Sequence, residues 1–129
     1  MKPRRQNLSK LELQVMRPFW KHGELTVRQA AEILTKEPND PGYSTVQTIV
    51  GRLEKKQALK KTSKVGNAWL FKALLERSNV INRMVDELIN LLDGAHSPIV
   101  SHLLKSETIS QSELEEIRKM IAEKAEHHE

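Results

Sequence analysis

The residue pattern predicts a mainly α fold: a winged helix-turn-helix of three helices and a small β-hairpin wing, followed by a C-terminal helical dimerisation region. Three observations carry that expectation. Helix-start signals recur at Ser9, Thr26 and Ser44, each followed by an apolar stripe at helical spacing. The period then changes to two between Leu59 and Ala73. Charge, finally, divides the chain. Residues 1–75 hold 15 Lys/Arg against 6 Asp/Glu, and residues 76–129 hold 6 against 11. A basic module that meets polyanions is thus expected at 1–75, and an acidic one that does not at 76–129.

The first helix opens on Ser9-Lys10-Leu11-Glu12, a capping box in which the serine accepts from the third amide and the glutamate reaches back. Leu8 and Leu13 are spaced as a hydrophobic staple, and Val15, Met16, Phe19 and Trp20 continue the apolar face to about His22, with Gly23 as the stop. Pro18 removes a hydrogen bond inside this helix and is expected to kink it. Thr26-Val27-Arg28-Gln29 repeats the capping box, with Val27, Ala30, Ala31 and Leu34 on one stripe. Pro38 to Gly42 reads as a loop.

Ser44-Thr45-Val46-Gln47 is read as opening the third helix in the same way. Val46, Ile49, Val50 and Leu53 face inward, while Ser44, Thr48, Gly51, Arg52 and Lys55 face out, flanked by Thr45 and Gln47. The outer face has small hydroxyl groups at its start, cations at its end and no glutamate. Gly51 costs roughly 1 kcal/mol against alanine in a helix, which suggests close approach of a nucleic-acid strand or close packing. Leu59–Lys64 and Ala68–Ala73 read as strands around a Val65-Gly66-Asn67 turn, with Gly66 or Asn67 at positive φ. Trp20, Trp69 and Phe71 read as core; Lys60, Lys61 and Lys64 decorate the first strand.

Behind the hairpin, Ile81, Met84, Val85, Leu88, Ile89, Leu91 and Leu92 form a wide stripe ended by Asp93-Gly94. Ser97-Pro98 is read as N-cap and first residue of a short helix bearing Ile99, Val100, Leu103 and Leu104. Ser110 to Glu113 is a further capping box, stapled by Ile109 and Leu114, and Ile117, Met120 and Ile121 follow at helical spacing. So much apolar surface on so short a segment favours self-association. The expected interface comprises Ile81, Val85, Leu88, Ile89, Leu92, Leu103, Leu104, Leu114, Ile117 and Ile121.

Composition excludes several classes. With no cysteine there are no disulfides, thiolate metal sites or cysteine nucleophiles, which fits a reducing cytoplasm. No apolar run approaches the ~20 residues of a membrane span, and the basic start, Met1 to Gln6, is followed by no signal core, so no membrane insertion or export is expected. No phosphate loop or catalytic constellation is present, the serines being placed as caps. The five histidines offer ligand spacing nowhere except Glu126–His128 at the chain's end. Neither an enzyme nor a metal or cofactor site is expected.

The positive polarity of the third helix suits a DNA duplex. Ser44 heads a helix whose amides and dipole favour phosphate. Thr45, Gln47 and Thr48 can bond base edges, glutamine pairing bidentately with adenine. Arg52, Lys55 and Lys56, with Lys64 and Asn67 on the hairpin, are placed for the backbone.

Taken in order, Leu8 to Met16, Phe19-Trp20, Leu25 to Arg28, Tyr43 to Thr48, Arg52 to Lys56 and Ile109 to Ile117 resemble the penicillinase-repressor (BlaI/MecI-type) family over nearly the full length. The resemblance implies a cytoplasmic homodimeric repressor that binds a double-stranded DNA operator at promoters of resistance or stress genes. It also implies release by a membrane sensor-protease that triggers cleavage in the tail. The family's cleaved Asn–Phe bond falls here on Ser101–His102, and Gln57 stands where the family usually has a glycine ending the reader helix. Copper-responsive relatives use C-terminal cysteines, so that branch is excluded. Two rival readings remain from the residues themselves: a winged-helix protein-interaction adaptor, and a nonspecific architectural DNA binder.

Overall fold

The computed structural model describes residues 7–127; the basic segment Met1–Gln6 and His128 lie outside them. Six helices and three short strands follow one another as α1 (Lys10–His22), β1 (Leu25–Thr26), α2 (Val27–Thr35), α3 (Tyr43–Lys55), β2 (Leu59–Val65), β3 (Ala68–Ala73), α4 (Arg77–Leu91), α5 (His96–Leu104) and α6 (Gln111–Glu126). They divide into two compact units, Met1–Met84 and Val85–Glu129.

The capping boxes at Ser9, Thr26 and Ser110 all form, each hydroxyl accepting from the amide three residues on and each Glu or Gln side chain accepting in return. They form because both partners lie within one turn, so no tertiary contact is required. Gly23 ends α1 at a φ of 83°, and α1 runs unbroken across the buried Pro18 despite the amide that proline lacks. Two helix starts differ from expectation. Helix α3 begins at Tyr43 with Gly42 as its cap, because the Asp40 carboxylate accepts from the Gly42 amide at 2.9 Å and Gly42 takes a φ of 87° that a serine would resist. Helix α5 begins at His96 after Ala95, not after Ser97. Pro98 is then the third helical residue, where a missing amide still costs no helical hydrogen bond.

The core of the first unit lies where α1, α2 and α3 converge over the sheet. Val15, Met16, Phe19, Ala30, Leu34, Val46, Ile49, Val50 and Leu53 fill it from the helices; Leu25, Leu59 and Phe71 close it from the strands. The sheet has the order β1-β3-β2 and is antiparallel throughout. Strand β1, absent from the sequence reading, is two residues long and pairs Leu25 with Phe71 and Thr26 with Leu70. Such a strand is set by its partner rather than by its own period. The hairpin has the expected pairing, with Gly66 at a φ of 64°, although β2 extends to Val65 and its register shifts between Lys61 and Lys64.

In the second unit no described residue is buried. Not one described residue from 85 to 127 falls below the surface, and Leu92, Leu103 and Ile121 are 48%, 57% and 59% exposed.

Candidate nucleic-acid interface

Helix α3 is fixed from three sides. Its inward residues, Val46, Ile49, Val50 and Leu53, are all buried. The loop before it is held by α1: the Gln14 amide donates to the Asn39 carbonyl at 2.6 Å, and Arg17 pairs with Glu37. Its end is closed by two backbone bonds, Ala58 N–H to the Leu53 carbonyl at 2.8 Å and Gln57 N–H to the Glu54 carbonyl at 3.0 Å. That pair is a Schellman closure, which requires a left-handed residue at the turn. Gln57 supplies it at a φ of 64°, so the departure from glycine does place a side chain in a strained conformation.

The outward face is Ser44, Gln47, Thr48, Arg52 and Lys55, all exposed, with Thr45 half-buried beside them. Among the described residues Arg52 and Lys55 have no ion-pair partner, and no acid interrupts the row. The Thr48 hydroxyl donates to the Ser44 carbonyl at 3.1 Å, leaving its lone pairs outward. No side chain caps the helix N-terminus, so its first amides keep their donors for an external acceptor. A Cβ on Gly51 would meet nothing within 4 Å; close packing inside the chain does not explain that glycine.

Gln47 and Asn67 line one cleft of about 570 Å³ between α3 and the hairpin, together with Arg28, Tyr43, Lys61 and Trp69. Trp69 is not core: it is 39% exposed, and the ammonium groups of Lys61 and Lys64 lie 5.1 and 5.2 Å from its ring centre. Arg28 stacks likewise over Tyr43 at 5.4 Å. The sequence reading missed Arg28, Tyr43, Lys61 and Trp69 as site residues. Alternation along β3 put Trp69 on the Phe71 side, but the register shift at Lys61/Lys64 carries the hairpin tip beyond the core. Phe71 is buried, and Trp20 is half-buried with its indole donating to the Leu75 carbonyl at 2.8 Å.

Lys56 is the exception among the expected phosphate ligands. Its ammonium donates to Glu12 Oε1 at 2.7 Å and to the Asn7 carbonyl at 3.3 Å, so it is engaged within the fold. Burial pushes the Glu12 carboxyl up, but the Lys56 hydrogen bond, the Ser9 amide, the Lys56 charge and the Ser9 hydroxyl together hold it below its ordinary value.

In the second unit, Ser101 and His102 are exposed within α5; the apolar residues expected at an interface, Ile81 of the first unit and the rest in the second, are exposed or half-buried. Among the described residues no cluster of His, Cys, Asp or Glu could hold a metal, and no helix is long and apolar enough to cross a membrane.

Three helices, a three-stranded sheet with a basic hairpin, and a third helix presenting an acid-free face define a winged-helix DNA-binding protein. The family model described as penicillinase repressor matches residues 8–123, and the chain belongs to that family, one of DNA-binding transcriptional repressors rather than enzymes. It is 27% identical over 117 residues to the penicillinase repressor of Bacillus licheniformis, covering 90% of each chain. An uncharacterised 16.5 kDa protein of Latilactobacillus sakei is 28% identical over 115 residues, covering 88% of this chain and 77% of its own. The solved DNA-binding domain of the repressor BlaI is 30% identical and covers 56% of this chain and 85% of its own, with a TM-score of 0.49.

Proposed function

We propose that the chain acts in the cytoplasm as a homodimeric repressor that reads a pseudo-palindromic operator with α3. The observation that carries this is the outward face of α3: Arg52 and Lys55, without an ion-pair partner among the described residues, exposed Ser44, Gln47 and Thr48, and an uncapped N-terminus, beside a hairpin carrying Lys64 and Asn67. Gln47 and Thr48 read bases; Arg52, Lys55 and Lys64 hold phosphates. The dimer is supported by the uncovered apolar surface of residues 85–127, and would set two reader helices about 34–36 Å apart, one turn of DNA. The 1–75 and 76–129 portions are proposed as the DNA-binding and dimerising parts.

The test is an electrophoretic titration against the duplex upstream of the chain's own coding sequence, with unrelated DNA as competitor. Binding that survives competition supports the reading; equal affinity for both duplexes points to an architectural binder, and no binding to an adaptor. Arg52→Ala and Lys55→Ala should weaken both duplexes alike, whereas Gln47→Ala should blunt discrimination by about 1–3 kcal/mol.

Release is proposed to follow cleavage by a membrane sensor-protease between Ser97 and Leu104, where Ser101 and His102 are exposed. Helix α5 has no buried residue to hold it, so it can open to the extended form a protease takes. Co-expression with a neighbouring membrane protease, followed by fragment sequencing, checks this. An intact chain that leaves its promoter overturns it.

A further inference from the structure

Lys56 caps α3 at the corner where the chain turns into the wing, and Glu12 is the third residue of α1. Glu12 is 1% exposed and is the one charged side chain buried among the described residues; the Lys56 side chain is 24% exposed. A single carboxylate oxygen, Oε1, accepts from the Lys56 ammonium at 2.7 Å and from the Ser9 amide at 2.8 Å, while Oε2 is buried with no hydrogen-bond partner. A carboxylate so enclosed is costly unless its cation stays. Lys56 therefore cannot swing to a phosphate without stranding Glu12 in the core.

We infer that Lys56 is a positioning residue and not a DNA ligand: the Glu12–Lys56 pair pins the C-terminal end of α3 to the first turn of α1 and thereby sets the angle at which the opposite end meets bases. The inference rests on the reading of α3 as the reader helix. Geometry gives the pin its leverage. The 13 residues of α3 span about 20 Å. Pivoting that length by about 5° moves the far end by roughly 1.7 Å, more than the whole 2.7–3.2 Å window of a hydrogen bond tolerates. Gln47 and Thr48 lie toward that far end, so loss of the pin is read as loss of base discrimination. Arg52 and Lys55, nearer the pivot and on long flexible stems, keep their phosphates.

The experiment uses the full chain as wild type, Lys56→Met, Glu12→Gln, the double variant and Lys56→Arg. Each is titrated against a duplex enriched from a random pool by the wild type and against an unrelated duplex of the same length, across a salt series. Thermal unfolding of the same samples establishes that binding is measured on folded protein. Lys56→Met should reduce the ratio of the two affinities about tenfold and leave the slope of log affinity on log salt unchanged. Glu12→Gln should lower the same ratio even though it loosens a lysine, the double variant should lose no more than the worse single, and Lys56→Arg should retain discrimination.

A Lys56 that holds phosphate behaves otherwise. Its replacement would weaken both duplexes alike and flatten the slope by about 0.9 per protomer, and Glu12→Gln would raise affinity. Either result overturns the inference, as does an unchanged ratio in both single variants. Glu12→Gln keeps the capping bond to Ser9 and so reports even if Lys56→Met does not fold. A wild type that enriches no duplex overturns the reader-helix reading itself, and the pin with it.

Discussion

The two units of this chain spend their apolar residues in opposite ways. In the first, the buried hydrophobic residues run from Leu8 to Val80 and close a core between three helices and a sheet. In the second, Val85, Leu88, Leu91, Leu92, Val100, Leu103, Leu104, Met120 and Ile121 are all exposed. Burial contributes roughly 25 cal/mol per Å² of apolar surface, and ordering each residue costs on the order of 1–2 kcal/mol. The first unit can meet that cost within one chain. The second leaves its apolar residues at the surface, which is what the proposed dimer would cover. One unit closes a core of its own; the other leaves its apolar faces open.

Breaking the second half should therefore have the largest effect on binding and the least on the first unit. Leu88→Asp puts a charge on the apolar stripe of α4 where the side chain is 44% exposed in one chain. Sedimentation should show the wild type as a dimer at tens of micromolar (a concentration on the order of the weaker protein–protein affinities) and the variant as a monomer. Operator affinity should fall by about 10²–10⁴-fold, the gain that tethering two half-sites supplies. Unfolding of the first unit should keep its midpoint at every protein concentration. A wild-type monomer would end the argument for a dimer.

How far the sequence disclosed each unit follows from the range of the forces involved. Capping boxes at Ser9, Thr26 and Ser110 are complete within four residues and were legible. The same rule misplaced the start of α3, because an Asp40–Gly42 turn takes priority over a serine one position further on. Lys56 read as one more cation on a basic helix, since its partner lies 44 residues away and only the packed fold brings them together. Strand β1 and the exposed Trp69 depend on cross-strand register, which alternation in one strand does not encode. From Arg77 onward the spacing located all three helices but nothing that covers them; periodicity names an apolar face, never its occupant.

A buried carboxylate gives the first unit a dependence on acidity. Folding holds the Glu12 carboxyl below its ordinary value, burial being outweighed by Lys56 and Ser9. The unfolded chain thus binds this proton more readily than the folded one. Stability from Glu12 is complete above the ordinary carboxylate range and is lost as pH falls through the depressed value. At neutral pH the wild type should exceed Glu12→Gln by about 1–3 kcal/mol, the scale of a hydrogen bond to a charged group. Denaturant unfolding at successively lower pH should show that difference closing. A constant gap would mean that Glu12 acts by shape and not by charge.

The smallest effect sharpens the comparison most directly, because both units contain the same device. Helix α3 ends through Gln57 at a φ of 64°, and α4 ends through Asp93 at a φ of 55° with the Gly94 amide bonded to the Ile89 carbonyl at 2.8 Å. Both are left-handed closures by a residue that has a Cβ, and that conformation costs an ordinary L-residue about 1–2 kcal/mol. Aspartate bears it more easily than glutamine, since its short side chain bonds locally. Glycine removes the strain but adds freedom to the unfolded chain, worth roughly 0.5–1 kcal/mol in the other direction. Gln57→Gly should therefore stabilise by about 0.5–1 kcal/mol, and Asp93→Gly by nearly nothing. The distinction lies in how each responds to protein concentration. A gain at Gln57 belongs to a core closed within one chain, so chemical denaturation should show the same increment at any concentration. Whatever Asp93→Gly does should appear only in the transition that moves with protein concentration. An increment at Gln57 that grew on dilution would mean that the first unit also leans on a partner, and the division between the two units would have to be redrawn.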